Sequence, residues 1–254
     1  MAFLNNCRYF DKLHVAWGHE RFLPLSPFYL TRKRLIIQMT KEIDSLNLNV
    51  LDIGCGIGDL ISTLPFKRIP CHGIDLSIFA LHTARSRVKD ANFIQADARF
   101  LPYRSNSYCM VLCSEVLEHI RREDQVVQEI HRVLARNGVT IVTVPQGEQH
   151  WTEEDREEGH LRRYSKMRLA RMFDSTGFKI EDLICWGFPM AVLFRKIVYT
   201  PIFGWRLHDR MSKSLLIGVI GPLLRLIDVF FRIDDIFKDL HLGLGLILKA
   251  RRTS

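Results

Sequence analysis

Short apolar segments alternate with helix-like segments through the middle of the chain. Apolar runs predict five strands, at 49–53, 72–75, 92–96, 109–113 and 139–144. The segments between them predict helices near 58–64, 77–88 and 123–136, and Asn137-Gly138 stands at the C-cap of the last one. Short, continuously apolar strands that alternate with helices are typical of a parallel sheet covered on both faces. The pattern therefore predicts a doubly wound α/β fold.

Further elements are predicted on either side of this region. Ser26-Pro27 predicts the start of a helix that runs to Ser45. The acidic segment from Glu148 to Glu158 predicts a loop, and a helix is expected over 165–175. A sixth strand is expected over Phe178 to Trp186 and a seventh over 242–250. The residues between these two strands are rich in aromatic, Leu and Ile side chains, which favours a helical insertion over 187–241.

The positive charge of the chain is concentrated near its C-terminal end. The net charge is +8, but eleven basic and only five acidic residues follow Cys185. A basic region suggests an anionic partner, either nucleic acid or a membrane surface. The Lys and Arg residues lie among bulky apolar side chains and no nucleic-acid module accompanies them, which makes nucleic acid unlikely as the partner. The insertion is thus expected to be a lipid-facing lid, with a cap on the sheet or on a second subunit as the alternative.

The spacing of the cysteines and the character of the apolar segments indicate where in the cell the protein is located. The six cysteines form no CxxC pair, which is typical of reduced thiols in a cytosolic protein. The first residues do not resemble a secretory signal, and the stretch from Leu215 to Phe231 is interrupted by charges and by Gly221-Pro222. We therefore expect a cytoplasmic protein with, at most, peripheral membrane contact.

A glycine-rich turn follows the first predicted strand. Asp52-Ile-Gly-Cys-Gly-Ile-Gly58 places Gly54, Gly56 and Gly58 where a strand passes into a helix. Glycines at such a turn allow positive φ and close approach of a ligand to the backbone. The spacing differs from the GxGxxG of dinucleotide sites, and an acid before the glycines suits an ammonium group better than a pyrophosphate. The alternative is a turn kept only for packing.

Acidic residues also end the next two strands. Asp75, followed by Leu76, stands where a carboxylate accepts hydrogen bonds from ribose hydroxyls. Asp97, followed by Ala98, ends the third strand near the place of an adenine ring. Either acid alone could be a solvated strand end or a helix cap. Acids at three consecutive strand ends favour one ligand site.

Four motifs in order, DIGCGIGDL, GIDLS, IQADARFLPY and LCSEVLEHI, resemble the class I S-adenosylmethionine-dependent methyltransferases. The likeness is to the small-molecule branch that includes ubiquinone-pathway O-methyltransferases, and it covers about 45–186 and the seventh strand. It implies a seven-stranded sheet in the order 3-2-1-4-5-7-6 with the last strand antiparallel. It implies Asp52 and the glycines around the methionine moiety, Asp75 with Leu76 at the ribose, and Asp97 with Ala98 at the adenine. Ser114 and Glu115 would line the methionine end.

This resemblance divides the chain into three parts. Residues 1–46 would be an N-terminal segment and helix over the cofactor site. Residues 47–186 and 242–254 would be the methyltransferase core, and 187–241 the apolar, basic helical insertion on the acceptor side.

Three residues are candidates for catalysis on the acceptor side. Glu118, His119 and His160 are expected near the cleft, and the pKa of a histidine suits it to proton transfer near neutral pH. The alternative is that His119 packs a turn and His160 lies on a surface loop. Glu115, Glu118 and His119 also resemble the magnesium site of some related methyltransferases, with His160 as a further ligand. Metal-free relatives carry a similar sequence, and a divalent metal is therefore not favoured.

The expected function is transfer of a methyl group from S-adenosylmethionine to a small, apolar or lipid-linked acceptor at oxygen. The alternatives are methylation at nitrogen or carbon, methylation of RNA, and a non-catalytic adenosylmethionine-binding module that holds a partner.

Overall fold

A seven-stranded mixed sheet forms the centre of the computed structural model, which describes residues 9–11, 26–41, 43, 48–66, 69–199 and 226–253. The strands lie in the order β3-β2-β1-β4-β5-β7-β6, as the family resemblance predicts. β1 to β5 are parallel, and β7 is antiparallel to both of its neighbours. The strand bounds are β1 Val50–Ile53, β2 Cys71–Asp75, β3 Ala91–Gln95, β4 Tyr108–Ser114, β5 Leu134–Pro145, β6 Phe178–Trp186 and β7 Gly245–Arg252.

Helices cover both faces of this sheet. Their bounds are α1 Pro27–Thr40, α2 Asp59–Thr63, α3 Ile78–Arg87, α4 Glu123–Val133, α5 Glu153–Glu157, α6 Lys166–Asp174 and α7 Met190–Phe194. One core cluster joins Leu51 and Ile53 of β1 to α4 and α6, and the other joins Val50 to α1, α2 and α3. Every residue of β1 is buried, because alternate side chains enter opposite layers. Burial on both faces of the sheet explains why the strand segments are continuously apolar in the sequence.

The helix predicted over 123–136 ends three residues early. Leu134 already belongs to β5 and pairs with Tyr108, and the register then shifts before Met110 pairs with Val139. Asn137, with φ +63°, lies in this irregularity of the strand. The expected C-cap at Asn137-Gly138 is therefore wrong, because the left-handed turn serves a strand bulge instead of a helix end.

The acidic segment predicted as a loop contains a short helix, α5. Thr152 and Asp155 form a capping box at its start, and Asp155 is 1% exposed. The acidic composition of the segment favours exposure to solvent. Asp155 is buried instead, because its carboxylate pairs with His160 and Arg163.

The predicted insertion is helical where the structure describes it. After α7 come a π-helical turn at Arg195–Tyr199, a helix at 226–231 and a 3-10 helix at Arg232–Phe237. The Asp234 carboxylate accepts hydrogen bonds from the N–H groups of Met190 and Ala191, which joins the two ends of this region. The part of the predicted insertion at 200–225 lies outside the described residues. Within the described part, no helix has both the length and the apolar character to cross a membrane.

The cysteines of the described part form no disulfide bond with one another.

Candidate active site

A cavity of about 890 Å³ opens at the carboxyl ends of β1, β2 and β4. In an α/β sheet this edge is the usual place for a ligand, because the strand order reverses there. All the site residues expected from the sequence line the cavity except Gly58 and Glu118. The structure thus brings together residues that lie more than 100 positions apart in the sequence.

Two glycines of the turn after β1 combine a positive φ with close neighbours. Gly54 and Gly58 have φ of +69° and +74°. A Cβ at Gly54 would overlap the side chain of Val116, and one at Gly58 would lie 3.2 Å from the Cβ of Ala84. Gly54 therefore allows close approach at the cavity wall, whereas Gly58 serves the packing of α2 against α3.

Two carboxylates stand at the bottom of the cavity. Asp52 is 2% exposed, and burial together with the nearby Asp75 raises its pKa to about 8. Asp75 accepts hydrogen bonds from the N–H groups of Gly56 at 2.9 Å and Ser77 at 2.8 Å. Adjacent acids in a buried place favour a positively charged ligand, because a cation offsets their mutual repulsion.

Asp97 forms an ion pair with Arg99, two residues further along the chain. The Arg99 guanidinium donates to both of its carboxylate oxygens, with a shortest distance of 2.6 Å. Burial alone would raise the pKa of Asp97, but the hydrogen bonds from Arg99 outweigh burial and lower it. Asp97 is thus a charged hydrogen-bond acceptor on the cavity wall, next to the buried Ala98.

The end of β4 supplies Ser114 and Glu115. Glu115 has φ of +55°, and Thr143 on the neighbouring strand donates to its carboxylate at 2.9 Å. Arg32 of α1 forms an ion pair with the other carboxylate oxygen at 3.0 Å. Ser114 lies 2.9 Å from the hydroxyl of Thr143, so one threonine orders both residues.

Helix α1 contributes site residues that the sequence reasoning missed. Tyr29 and Lys33 donate to the Asp59 carboxylate at 2.6 and 2.8 Å, directly after the glycine turn. Together with Arg32, they line the cavity. The basic run Arg32-Lys33-Arg34 is the sequence signal of this role, but its acidic partners lie too far away in the sequence to be identified from it.

Glu118, His119 and His160 form one cluster, with their ligand atoms within 4.8 Å of one another. Glu118 is fully buried, and its carboxylate has no hydrogen-bond partner among the described residues. Burial, and then the charge of Glu115, raise its pKa well above the usual value. The His119 ring contacts the His160 ring, with centroids 4.8 Å apart. Burial and the neighbouring His160 lower the pKa of His119 to about 4.

The pKa of His160 is shifted in the opposite direction, upwards. Its Nδ1 lies 2.7 Å from the Asp155 carboxylate and its Nε2 lies 3.2 Å from that of Glu158. Burial works against its charge, but these two acids outweigh burial and raise the pKa of His160 to about 10. The His160 side chain is 8% exposed, so the alternative of a surface loop residue is wrong. The sequence reasoning also missed Asp155, whose only signal was the Thr-x-x-Asp spacing of a capping box.

The residues that resemble a magnesium motif do not fit a metal site in this arrangement. Glu115 is paired with Arg32 and Thr143 instead of joining the cluster. Both ring nitrogens of His160 are engaged by carboxylates, and a metal ligand needs a free lone pair. We therefore assign no metal to this cluster and derive no step through one.

The central part of the chain is similar to known methyltransferases. Residues 51–142 match the family model of the methyltransferase domain. The chain is 32% identical over 136 residues to methyltransferase GfsG of Streptomyces halstedii, covering 50% of this chain and 49% of that protein. It is 30% identical over 130 residues to the ubiquinone/menaquinone biosynthesis C-methyltransferase UbiE of Campylobacter jejuni, covering 48% and 55%. The chain thus spans about half the length of these relatives.

A solved structure has a similar fold. Phosphoethanolamine N-methyltransferase 2 of Haemonchus contortus superimposes with a TM-score of 0.66 at 18% identity. The match covers 98% of this chain and 60% of that one. At this identity the likeness concerns the fold alone.

Proposed function

Because residues 51–142 match the family model of the methyltransferase domain and the sheet has the order 3-2-1-4-5-7-6, we propose that this protein is an S-adenosylmethionine-dependent methyltransferase that methylates a small acceptor. The methyl donor is S-adenosylmethionine. The acceptor is apolar or lipid-linked, and the methylated atom is oxygen. One observation carries the proposal: a single cavity contains both the carboxylates suited to the donor and the histidines suited to an acceptor.

The donor end of the cavity suits a cationic nucleoside. S-adenosylmethionine carries an ammonium and a sulfonium, which offset the charges of Asp52 and Asp75. In the proposed pose, Asp52 faces the ammonium with Gly54 and Gly56 beside it. Asp75 and Leu76 lie at the ribose, Asp97 and Ala98 at the adenine, and Ser114 and Glu115 at the methionine end. Gly58 supports the turn without lining the cavity.

The acceptor end supplies acid–base groups. His119 and His160 line the cavity, and Glu118 lies directly behind them. A sulfonium methyl is already activated, so the protein needs to align a nucleophile with it and take up a proton. An oxygen nucleophile fits this set, because its O–H must lose a proton on methylation.

Exposed apolar side chains near the cavity support a lipid-linked acceptor and peripheral membrane contact. Within 193–242 they include Ile236, Ile197 and Phe230, which are 76%, 63% and 59% exposed. Lys196 and Arg232 are exposed in the same region. Apolar and basic groups on one surface suit a membrane interface. A site beside such a surface would admit a lipid acceptor from the bilayer, and the C-terminal excess of positive charge favours anionic lipid.

The donor assignment is tested by calorimetry with S-adenosylmethionine on the whole chain. Wild-type protein is expected to bind, and Gly54→Val is expected to lose binding because the added side chain overlaps Val116. Gly177→Ala, between α6 and β6 and outside the cavity lining, is the control, because Gly177 also has a positive φ. Unchanged affinity of Gly54→Val would refute the assigned site.

The acceptor is tested with methyl-labelled S-adenosylmethionine and a chloroform extract of the native cells. Label in a hydroxyl-derived methyl ether supports the proposal, and chelator is expected to leave the rate unchanged. Label on nitrogen or carbon, or only in RNA, would replace the acceptor assignment. Binding without transfer to any fraction would favour a non-catalytic module.

The membrane contact is tested by co-sedimentation with vesicles of phosphatidylglycerol and phosphatidylcholine. Phe230→Ser with Ile236→Ser is expected to lower the bound fraction. Phe100→Ser, at a side chain 66% exposed beyond β3, is the control. If the wild-type chain does not sediment with these vesicles, the membrane contact is excluded.

A further inference from the structure

We propose that Arg195 binds an anionic group of the methyl acceptor, either a phosphate or a carboxylate. This inference rests on the proposed methyl transfer and deepens it by naming a class of acceptor, one in which a negatively charged group is joined to an apolar part. Arg195 begins the π-helical turn that follows α7, and its side chain lines the cavity.

The guanidinium of Arg195 is only partly paired. Its side chain is 15% exposed, and Nη2 alone is engaged, by the Thr152 hydroxyl at 3.2 Å and the Glu154 carboxylate at 3.4 Å. Nε and Nη1 have no hydrogen-bond partner among the described residues. The other cations of the cavity wall, apart from the exposed Arg121, lie closer to a carboxylate: Arg32 at 3.0 Å, Lys33 at 2.8 Å, Arg99 at 2.6 Å and Arg163 at 2.8 Å.

Two acids on the same wall of the cavity, Asp155 and Glu158, pair with other cations. Asp155 accepts hydrogen bonds from Nε and Nη2 of Arg163 at 2.9 Å and lies 2.7 Å from Nδ1 of His160. Glu158 lies 3.2 Å from Nε2 of His160. Since His160 has a pKa of about 10, it carries a positive charge at neutral pH and uses both acids. They are therefore not available to neutralise Arg195.

Other cations lie close enough to Arg195 to act on a common neighbour, His150. Burial lowers the pKa of His150, and the charges of Arg163, Arg195 and Lys196 lower it further. Cations that act on one place repel one another. An anion bound at Arg195 would offset this repulsion, and the planar guanidinium offers parallel N–H groups that match phosphate or carboxylate oxygens.

Apolar side chains are suited to the rest of such an acceptor. Trp186 and Leu244 line the same cavity, and each is 6% exposed. Two residues after Arg195, Ile197 is 63% exposed on the surface for which membrane contact is proposed. One helical turn thus presents a cation to the cavity and an apolar side chain to the outside. An amphiphile with an anionic head fits both.

The inference is tested by NMR saturation transfer on the full chain with three soluble probes: phenyl phosphate, benzoate and neutral benzyl alcohol. S-adenosylhomocysteine is present so that the donor end is occupied. At least one anion is expected to bind more tightly than benzyl alcohol, and Arg195→Gln is expected to weaken its binding roughly tenfold or more. A preference for phenyl phosphate identifies a phosphate as the bound group, and a preference for benzoate identifies a carboxylate.

Arg171→Gln is the matched control, because Arg171 is an exposed arginine of α6 outside the cavity lining. It is expected to keep the wild-type affinity. Arg195→Lys retains the charge without the planar set of donors and is expected to bind less tightly than wild type, which decides the matter if Arg195→Gln does not fold. Equal binding of benzyl alcohol, no binding of either anion, or unchanged affinity in the folded Arg195 variants would overturn the inference.

The labelled product from the cell extract gives a second test. Methylation of a hydroxyl leaves the anionic group in place, so the product is expected to bind an anion-exchange resin at neutral pH. Arg195→Gln is expected to yield less of it with unchanged donor affinity. A labelled product that passes through the resin would overturn the inference and leave the proposed methyl transfer intact. If wild-type protein binds no donor, the proposed function fails instead, whatever the probes show.

Discussion

At the scale of single residues, the acidic pair Asp52 and Asp75 determines what the donor end can bind. Asp52 is buried, and among the described residues no cation offsets its charge; its pKa of about 8 means that it holds a proton at neutral pH. A cationic ligand stabilises the carboxylate form, so binding must release this proton. Ligand binding and titration of one buried group are thus linked.

This linkage predicts the pH dependence of donor binding. Affinity for S-adenosylmethionine should increase between pH 6 and 8 and then level off, because less work is needed to ionise Asp52. Calorimetry in buffers of different ionisation enthalpy should detect about one proton released at pH 7. In Asp52→Asn both effects should disappear, and the exposed Asp90→Asn should retain them. A flat affinity profile in the wild type would contradict the linkage.

Without ligand, the same residue should destabilise the folded chain at high pH. The folded state holds the Asp52 proton more tightly than the unfolded chain does. The free energy of unfolding therefore falls as pH rises from about 4 towards 8 through this group. Asp52→Asn should accordingly have a higher Tm than wild type at pH 8.5 and a similar one at pH 4, as measured by calorimetric scans. A lower Tm at pH 8.5 would mean that the carboxylate is stabilising.

At the scale of elements, α1 connects the cavity to the helical region near the C-terminal end. On one side, Lys33 bonds to Asp59 beside the glycine turn. On the other side, Thr31 donates to Asp228 at 2.8 Å, and Arg34 donates to both carboxylate oxygens of Asp235. A helix fixed on both sides forms a wall between the donor and the exposed apolar surface.

Removing the ion pair that holds α1 on the cavity side should weaken donor binding. Lys33→Ala removes an ion pair whose two side chains are 16% and 8% exposed. The affinity for S-adenosylmethionine should fall by roughly three- to tenfold, which corresponds to a charge-assisted hydrogen bond of about 1 kcal/mol. Gln38→Ala, on the exposed side of the same helix, should leave it unchanged. Equal affinities for the two variants would show that α1 does not shape the site.

The features that can be predicted from the sequence are those that depend on residues close to one another in the chain. The strands and the glycine turn follow from continuous apolar runs and from residues adjacent in sequence, and the sheet order follows from the family resemblance. The contacts of Asp155 and α1 were not predictable, because their partners are distant in sequence and a charged residue usually indicates exposure. The boundary at Leu134 was missed because pairing with β4 overrode the helical pattern.

At the scale of the whole molecule, the sheet depends on its last strand. β7 lies between β5 and β6, and Leu248 at its centre is fully buried. Leu248→Ala should lower the free energy of unfolding by about 2–5 kcal/mol through the cavity that it leaves. Urea unfolding measures this, with Leu226→Ala at an exposed position expected to stay within about 0.5 kcal/mol of wild type. A small effect at Leu248 would mean that the sheet repacks around the missing side chain.

The position of β7 also sets an order of assembly during translation. Among the described strands, β6 pairs with β7 alone, although β6 is synthesised some 60 residues earlier. β6 therefore cannot join the growing sheet until the ribosome has produced β7. Trp186 at the end of β6 and Gly245 at the start of β7 both line the cavity. The nascent chain can thus form the donor end early, but this wall of the site closes only when the final strand emerges.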